Sequence, residues 1–380
     1  MQIKKLSNEI DIQKYLLELG VDSGGLKILS SKAKTHLFYI QNLNVGGANI
    51  LKQDALSIGA DLAVPRGTVL AKTPYVDCIL IATTKQLQTL SKKELAQPFG
   101  LKELALQLQQ YLALKPIEKV EIMGVINAND DSFFSGSRFV NDSAVKKIKE
   151  MIEDGADIID LGGVSSRPNA TVVSPQEEMQ RLKPILDAIK EHKLYEKVKF
   201  SIDSYTPEVV KYALECGFTI INDITGFEND ELCSLCAEFN ATAVVMHMQG
   251  TPQTMQQNPH YDNVVLDIYN YLEKQVQKLE SFGVRDIILD VGIGFGKSLE
   301  DNITLIKHLE HFRVLGKELL VGASRKSMID KITSSSIEQR LAGTLTLHLE
   351  AIKNGASIIR VHDVYEHKQA LEVYIALRKG

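Results

Sequence analysis

The chain is poor in cysteine, which excludes a disulfide-rich scaffold. It has four cysteines in 380 residues, and so few thiols in a chain without an export signal are expected to stay reduced. Cys233 and Cys236 form a lone C-x-x-C motif. A zinc or redox site needs a second ligand pair or a thioredoxin-like context, and the sequence offers neither. We therefore interpret both as ordinary half-buried positions on a helix predicted at 229–239.

The sequence also lacks long apolar runs, an apolar leader and an excess of basic residues. No run is long enough to cross a bilayer, and the first residues, MQIKKLSNEID, contain no apolar segment typical of a signal peptide. We therefore expect a cytoplasmic protein without membrane partners. The formal net charge of −5 argues against a general nucleic-acid binder. Small anionic substrates remain possible where cations cluster locally.

What the chain has instead is one pattern repeated from about residue 120 onward. A run rich in valine and isoleucine is followed by a polar loop and a helical stretch. Such runs are typical of parallel strands buried on both faces. The eight runs are VEIMGVI (120–126), DIIDLGG (157–163), KVKFSID (197–203), TIINDIT (219–225), ATAVVMHM (241–248), DIILDVG (286–292), ELLVGAS (318–324) and SIIRVHD (357–363). Eight such units predict a (β/α)8 TIM barrel. A doubly wound open sheet, which usually has fewer strands, is the alternative.

Residues 1–116 do not continue this repeat, and they predict a small α/β domain that precedes a barrel at 117–380. The pattern predicts helices near 8–19, 48–58, 85–95 and 100–114, and strands near 36–43, 62–70 and 75–83. Two segments, 25–34 and 44–49, look like loops. The second, NVGGAN, is weak evidence for a phosphate loop, and a plain turn is the simpler interpretation.

Acidic and amide side chains stand at the ends of several predicted strands. Asp203, Asn222 and Asp290 each follow an apolar run, and strand ends of a TIM barrel converge on one face. Ionised carboxylates are hydrogen-bond acceptors only, so this group suits a flat heterocycle with several N–H donors. A single aspartate at a strand end is often only a helix N-cap, and Asp223 and Asp363 fit that simpler interpretation.

Cations stand in or directly after the seventh and eighth predicted strands. Arg325, Lys326, Arg360 and His362 lie there, and the loops after those strands often bind phosphate in TIM barrels. Arginine also suits bidentate phosphate contacts and stacking on a ring. Two other features are weak alone: GIGFGK (292–297) resembles many glycine-rich loops, and His247, between two methionines, is more typical of a hydrogen-bonded core residue.

Taken in order, the motifs from about 121 to 365 closely resemble dihydropteroate synthase, a family of pterin-binding TIM barrels. The matching segments are IMGVINANDDSFFSG (122–136), DIIDLGGVSSRPNA (157–170), SIDSY (201–205), INDITG (221–226), VVMHMQGTPQTMQ (244–256), ILDVGIGFGKSLEDN (288–302), LLVGASRKSMI (319–329) and IIRVHDV (358–364). The resemblance implies an enzyme that joins a dihydropterin methyl diphosphate to 4-aminobenzoate in folate biosynthesis, in a family that sulfonamides target.

The resemblance also implies a role for individual residues. It places the pterin on Asp203, Asn222, Asp290, Lys326 and Arg360. It places the diphosphate on Asn127, Arg360 and His362, with a Mg²⁺ cofactor whose protein ligand is Asn127. It places 4-aminobenzoate against Phe133, Ser166, Arg167, Pro168, Phe295 and Ser327. The catalytic residues would be Asp131, Asp290, Lys326 and Arg360, and Asp131 would close over the reacting centre.

Two loops depart from the family pattern. The first usually reads Asn-Val-Thr-Pro-Asp-Ser-Phe, whereas this chain has Ala128, Asn129 and Asp130 after Asn127. The second usually reads Glu-Ser-Thr-Arg-Pro-Gly, and this chain has VSSRPN (164–169). Ser166 keeps a hydroxyl at the threonine position. The charged residues to which the resemblance assigns a role are all present, so the departures bear on loop behaviour and on the shape of the aminobenzoate site.

Two rival functions and one unassigned domain remain open. The related pterin-binding barrels include methyltransferases that pass a folate methyl group to a corrinoid, although SSRP and SRKS favour the synthase. A barrel kept only for binding would be consistent with the altered first loop. We expect a homodimer formed through the barrel. For residues 1–116 we predict a structural or oligomerisation module, since the segment is short for the pyrophosphokinase to which some synthases are fused.

Overall fold

The computed structural model describes residues 1–7, 10–128, 138–164 and 173–378, and of residues 138–142 it describes the backbone. The described chain divides into two compact units. One is Met1–Lys115 with Ile375–Gly380, and the other is Pro116–Tyr374. No helix in the described part of the chain has the length and apolar content to cross a membrane.

The first unit is a three-stranded antiparallel sheet with helices on one face. The strands are β1 (Thr35–Asn44), β2 (Asp61–Ala63) and β3 (Tyr75–Thr83), in the order β1-β3-β2. The helices are α1 (Ile12–Glu18), α2 (Ser23–Ala33), α3 (Val45–Ser57), α4 (Thr84–Lys93) and α5 (Leu101–Leu112). Alternate residues of β3 are buried, as expected for a sheet covered on one side. The predicted small α/β fold is confirmed, with local corrections.

Three of those local predictions were wrong. The segment 25–34 is mostly helical rather than a loop, because Asp22 caps α2 through the Gly24 N–H at 2.8 Å. The NVGGAN segment begins α3, with Asn44 as its N-cap. The strand predicted at 62–70 ends at Ala63. Asn and Asp favour helix N-caps as strongly as they favour turns, so a local pattern does not separate the two.

The second unit is a closed barrel of eight parallel strands, which confirms the predicted fold. The order around the barrel is β10-β11-β4-β5-β6-β7-β8-β9, so each strand pairs with its sequence neighbours and the last described strand closes on the first. The strands are β4 (Glu121–Asn127), β5 (Ile158–Gly162), β6 (Lys199–Asp203), β7 (Ile220–Asp223), β8 (Thr242–Met246), β9 (Ile287–Asp290), β10 (Glu318–Val321) and β11 (Ile358–Val361).

Helices alternate with these strands and cover the outside of the barrel. They are α6 (Arg138–Glu153), α7 (Pro175–Glu191), α8 (Pro207–Glu215), α9 (Asp230–Glu238), α10 (Val264–Ser281), α11 (Leu299–Lys307), α12 (Ser327–Ile332), α13 (Leu341–Lys353) and α14 (Val364–Arg378). A large apolar cluster fills the space between helices and strands. Cys233 and Cys236 are buried on α9, where their thiols contact the carbonyl oxygens of Phe227 and Ala241.

The barrel interior is apolar at one level and polar at the next. A floor of seven buried side chains consists of Met123, Ile158, Ile220, Val244, Ile288, Leu320 and Ile358. Successive inward residues on a strand are two apart, so the next inward residues toward the carboxyl ends include Asp160, Asn222, Asp290 and Arg360. The fold therefore seals the barrel from below and places charged and amide groups directly above the seal.

Candidate active site

A guanidinium held between two carboxylates is the centre of the polar layer. Arg360, on β11, donates from Nε to Asp160 Oδ2 at 2.6 Å and from Nη2 to Asp203 Oδ2 at 2.5 Å. Asn222 donates from Nδ2 to the same Asp160 oxygen at 3.2 Å. The closed sheet thus joins residues far apart in sequence. Asp203, Asn222 and Arg360, which the sequence placed at strand ends, share one hydrogen-bonded network.

Asp160 is the residue in this network that the sequence analysis missed. It is the third residue of β5 and is fully buried. A signal was present, because an aspartate in the middle of the apolar run DIIDLGG has an inward position on a buried strand, and buried charges are normally paired. Its position in the middle of the strand separates it from the other candidates, which stand at strand ends.

Burial and neighbouring charges shift the pKa values of the ionisable groups in this layer. Burial raises the pKa of Asp203 to about 7, against the opposing charge of Arg360 and with the added repulsion of Asp160. Burial also raises the pKa of Asp290, although the Gly292 N–H and the charge of Lys326 act against that rise. Burial opposes the charge of Arg360, but Asp160 and Asp203 outweigh it and raise its pKa. Arg360 is therefore permanently charged, while Asp203 can titrate near neutral pH.

Asp290 and Lys326 border the layer on the side of β9 and β10. Asp290 is buried and accepts from the Gly292 N–H at 2.8 Å through Oδ1. Lys326 is half-buried, and its ammonium lies 4.0 Å from the centroid of the Phe295 ring, a distance typical of a cation–π contact. The electrostatic interaction of Lys326 with Asp290 places both near one mouth of the barrel.

A second buried cation, Lys297, supports the loop that follows β9. Its side chain is almost fully buried, and its ammonium contacts His247 Nδ1 at 3.1 Å, His247 O at 3.2 Å and Phe295 O at 2.9 Å. Burial lowers the pKa of Lys297 to about 7 and that of His247 to about 3. The interpretation of His247 as a hydrogen-bonded core residue fits this geometry, whereas the role of Lys297 was not anticipated.

The loops after β10 and β11 are tied to each other. Ser324 Oγ lies 2.9 Å from His362 Nδ1, and the His362 N–H points to the same hydroxyl. Arg325 makes a two-pronged contact with Asp363, with Nε donating to Oδ2 at 3.1 Å and Nη2 to Oδ1 at 2.5 Å. Arg325 belonged to the cationic group inferred from the sequence. Its guanidinium instead bridges the two loops, so it acts as a support for the loops that carry Lys326 and His362.

The remaining predicted site residues fall into two groups. Asn127 ends β4 and is half-buried, Phe295 is buried in the loop after β9, and Ser327 is exposed at the start of α12. Asp131, Phe133, Ser166, Arg167 and Pro168 lie outside the described residues. In the described ranges no cluster of three or more His, Cys, Asp or Glu side chains could hold a metal ion. Asn127, an amide, was the predicted metal ligand.

A cavity of about 480 Å³ lies at the opposite, amino-terminal end of the barrel. Its lining includes Glu121, Lys199, Lys317 and Glu318, which lie at the first residues of strands or just before them. Lys199 is paired with Glu121 at 3.1 Å. In TIM barrels the chemistry occurs at the carboxyl ends of the strands, and the amino-terminal face serves stability. The cavity at this end therefore does not compete with the network around Arg360 as a candidate active site.

Comparison with known proteins identifies the family. A family model described as pterin binding enzyme matches residues 123–362. The chain is 42% identical over 379 residues to a bifunctional dihydropteroate synthase/dihydropteroate reductase of Helicobacter pylori, covering 100% of both chains. It is 39% identical over 259 residues to the dihydropteroate synthase of Haemophilus influenzae, covering 67% of this chain and 93% of the relative.

Solved structures agree with the sequence relatives. The dihydropteroate synthase of Yersinia pestis, in a complex with a sulfonamide drug, superposes with a TM-score of 0.64 at 33% identity, over 70% of this chain and 96% of that one. The Thermus thermophilus enzyme in complex with 4-aminobenzoate gives a TM-score of 0.62 at 38% identity, over 69% and 96%. With the polar layer and the closed barrel in place, these matches mean that the chain belongs to the dihydropteroate synthases within the pterin binding enzyme family.

Proposed function

We propose that this protein condenses (7,8-dihydropterin-6-yl)methyl diphosphate with 4-aminobenzoate and releases 7,8-dihydropteroate and diphosphate. The observation that carries the proposal is the network in which Asp160 and Asp203 hold the Arg360 guanidinium beside Asn222, above a sealed floor. It combines acceptors for a nitrogen heterocycle with a cation for a phosphate group. The pterin ring needs the acceptors and the diphosphate needs the cation, and both must lie in the same cavity.

The pterin ring would be held by acceptors on three strands. Asp203, Asn222 and Asp290 supply carboxylate and amide oxygens, which match the N–H donors of a pterin edge. Lys326 supplies a donor on the other side. Because burial raises the pKa of Asp203 to about 7, the carboxylate becomes fully available as an acceptor only above neutral pH. Substrate N–H groups would then offset part of the cost of burying its charge.

The leaving group would lie toward β4 and β11. Arg360 and His362 would contact the phosphate oxygens, and Arg360 would also face the pterin ring. A Mg²⁺ ion fits this donor set only as a partner of the diphosphate, because Asn127 offers a single amide oxygen, and Mg²⁺ commonly binds one or two protein ligands together with substrate phosphates and water. When bound, the ion would neutralise charge on the departing diphosphate.

The reaction would be a substitution at the methylene carbon of the pterin. The C–O bond to the diphosphate breaks with its electron pair on oxygen, and an SN1-like path is favoured because the pterin ring delocalises the resulting positive charge. Asp290 would stabilise that cation electrostatically, and we assign the same role to Asp131. The aminobenzoate nitrogen then forms the C–N bond and loses its proton. An aniline nitrogen is already a free nucleophile at neutral pH, so no strong base is needed.

We place 4-aminobenzoate between the loops after β9 and β10. Phe295 and Ser327 border this region, and we assign Phe133, Ser166, Arg167 and Pro168 to the same site from the family motifs. A sulfonamide would occupy the same position, so it should raise the apparent KM for 4-aminobenzoate without lowering kcat. A sulfonamide that lowers kcat at saturating 4-aminobenzoate would contradict this placement.

A coupled assay for diphosphate release tests the whole proposal. Release should require both substrates and Mg²⁺, and Asp203→Asn and Lys326→Ala should each reduce turnover far beyond any loss of stability. Asp157→Asn is a matched control, because Asp157 precedes β5 at the other end of the barrel, where it accepts from Lys119 and the Ile122 N–H. The control should lower the unfolding temperature without changing kcat. Near-normal kinetics in both site variants would remove the pterin-site assignment.

The same assay separates the rival functions. A corrinoid-dependent methyltransferase would transfer a folate methyl group and release no diphosphate. A barrel kept only for binding would take up the pterin diphosphate without turnover in the presence of 4-aminobenzoate. Either result in place of diphosphate release would replace the synthase assignment.

We infer a second candidate activity, dihydropteroate reduction, because one relative with a bifunctional name matches the whole length of the chain. The Helicobacter pylori protein named as a bifunctional synthase and reductase matches the chain along its full length. The Haemophilus influenzae synthase matches only 67% of it. Reduction would add two electrons and two protons to dihydropteroate and yield tetrahydropteroate, with a hydride donor such as reduced nicotinamide oxidised in return.

The reductase proposal is tested with the full chain. Purified protein, dihydropteroate and reduced nicotinamide should give loss of the nicotinamide absorbance in step with tetrahydropteroate formation. A mock purification from host cells that lack the chain controls for contaminating host reductases, because it carries over the same host proteins. No reduction above the rate of a mock purification would leave residues 1–116 with the structural or oligomerisation role expected from the sequence.

Two further expectations come from the sequence. We propose a homodimer formed through the barrel and a cytoplasmic location. Sedimentation at several concentrations would measure the mass in solution, and a monomer at micromolar concentration would contradict the dimer. Fractionation of cells that express the full chain would test the location.

A further inference from the structure

Asp160 is a fully buried charge of the polar layer, and the resemblance to the family assigns it no role. It lies on β5, one inward step above the floor residue Ile158. Its Oδ2 atom accepts from Arg360 Nε at 2.6 Å and from Asn222 Nδ2 at 3.2 Å. One oxygen therefore joins the cation predicted for the diphosphate to the amide predicted for the pterin.

The contact with Arg360 restricts the guanidinium plane. Nε donates to Asp160 and Nη2 to Asp203, so two carboxylates on adjacent strands hold two sides of a rigid, planar fork. Among the described residues Nη1 has no such contact, and it is left for a ligand. A guanidinium fixed at two points loses little further freedom on binding, which favours affinity.

The contact with Asn222 decides which end of its amide faces the ligand. Nδ2 points to Asp160, so Oδ1 is directed away from that carboxylate as an acceptor. The two ends of an amide differ only in hydrogen-bonding chemistry, and the network assigns them. A carboxylate accepts but cannot donate, so Asp160 selects the orientation that offers an acceptor to pterin N–H groups.

Stability alone does not explain a buried carboxylate here. Asp160, Asp203 and Asp290 surround a single guanidinium, and Asp160 Oδ1 is buried without a hydrogen-bond partner in the described part of the chain. A buried charge carries a desolvation cost that an ion pair often fails to offset. An unsatisfied buried polar atom in a native protein is commonly explained by function.

We propose that Asp160 is a positioning residue that presents Arg360 and Asn222 to the pterin diphosphate. The proposal rests on the synthase function proposed above. Asp160 would act through these two side chains, with no contact to the reacting atoms. Substitution of Asp160 should therefore weaken binding of the pterin diphosphate and leave KM for 4-aminobenzoate unchanged.

The test uses Asp160→Asn in the full-length protein. Asparagine has nearly the same shape and removes one of three crowded negative charges, so the fold should be retained. We expect kcat/KM for the pterin diphosphate to fall roughly 10- to 100-fold, the range for hydrogen bonds to charged groups. KM for 4-aminobenzoate at saturating pterin diphosphate should change less than about twofold. Asp160→Ser, which leaves room for a water, is a second variant with the same expected profile.

Ser201→Ala is the matched control. Ser201 pairs with Asp160 in the strand register, is fully buried, and has no hydrogen-bond partner in the described residues. Its hydroxyl makes no hydrogen bond to Arg360 or Asn222 within the described residues, so both kinetic constants should stay near those of the unchanged protein. A loss equal to that of Asp160→Asn would mean that any disturbance of this layer lowers activity, which would overturn the specific role.

A double-mutant cycle with Arg360→Lys separates positioning from general support. Lysine lacks the planar guanidinium that donates to both Asp160 and Asp203. In the Arg360→Lys background, Asp160→Asn should therefore lower kcat/KM for the pterin diphosphate much less than it does in the unchanged protein. Losses that multiply independently would overturn the proposal, as would normal kinetics in Asp160→Asn. If the unchanged protein releases no diphosphate, the synthase proposal fails instead. Calorimetry with the pterin diphosphate alone would then still report whether Asp160 supports pterin binding.

Discussion

Substitution of Gly292 by alanine should damage both the fold and the pterin site. Gly292 follows β9 with a φ of +69°, and an added Cβ would lie 1.9 Å from the carbonyl oxygen of His247. Gly283, at the end of α10, is the matched control, because its φ is +90° but no atom lies within 4 Å of its Cβ position. The two variants share the cost of the left-handed backbone and differ only in the collision.

The size of each effect follows from these contacts. Alanine at Gly283 should lower the free energy of unfolding by about 1–2 kcal/mol, the cost of a left-handed conformation. Alanine at Gly292 must also displace the His247 carbonyl, which accepts from Lys297 at 3.2 Å. Loss of a buried hydrogen bond adds about 1–3 kcal/mol, for a total of about 2–5 kcal/mol. The shift should also disturb Asp290, since the Gly292 N–H donates to its carboxylate.

Urea unfolding and steady-state kinetics measure the two consequences. Gly283→Ala should lose stability but keep its KM for the pterin diphosphate, whereas Gly292→Ala should lose more stability and show a raised KM. Equal unfolding free energies and equal kinetics for the two variants would refute the argument, because they would mean that the loop accommodates a Cβ beside the His247 carbonyl.

Three further predictions concern titration and pairing. Because burial raises the pKa of Asp203 to about 7, KM for the pterin diphosphate should rise about tenfold per pH unit below 7. If KM of Asp203→Asn rose in the same way below pH 7, the assignment of this rise to Asp203 would be wrong. Burial lowers the pKa of Lys297 to about 7, so holding its charge costs stability at low pH. The free energy of unfolding of the unchanged protein should therefore rise relative to that of Lys297→Met as the pH rises from about 7 toward 10.5. A difference between the two free energies that stays constant across that range would argue against a buried ammonium. Arg325→Lys should change the free energy of unfolding by less than about 1 kcal/mol. It should also leave the affinity for diphosphate, measured by calorimetry, within twofold, because Arg325 is already paired with Asp363. A tenfold loss of that affinity would mean that Arg325 binds the phosphate groups.

The barrel was predictable because its strands are continuous apolar runs. Segments such as ATAVVMHM carry apolar residues on both faces, and burial on both faces leaves few architectures other than a parallel sheet covered by helices. The first unit was less predictable. In NVGGAN the same asparagine that suggests a turn caps α3, and only the packing of that helix on the sheet decides between them.

The polar residues at strand ends were visible as candidates, but their partners were not. Sequence order gave no reason to link Asp160 with Arg360, 200 residues away, or Lys297 with the His247 carbonyl. Barrel closure between β11 and β4 brings the last strand beside the first. Such contacts depend on register and side-chain direction across a closed sheet, which no local pattern encodes.

The barrel, the order of its strands and the identities of most charged groups at its mouth follow from the amino-acid sequence, because hydrophobic periodicity and motif order are local properties of the chain. The pairing of those charges does not follow from the sequence and is seen in the folded barrel. There Arg325 pairs with Asp363 and Arg360 with Asp160 and Asp203, because an ion pair is settled by distance and burial in three dimensions.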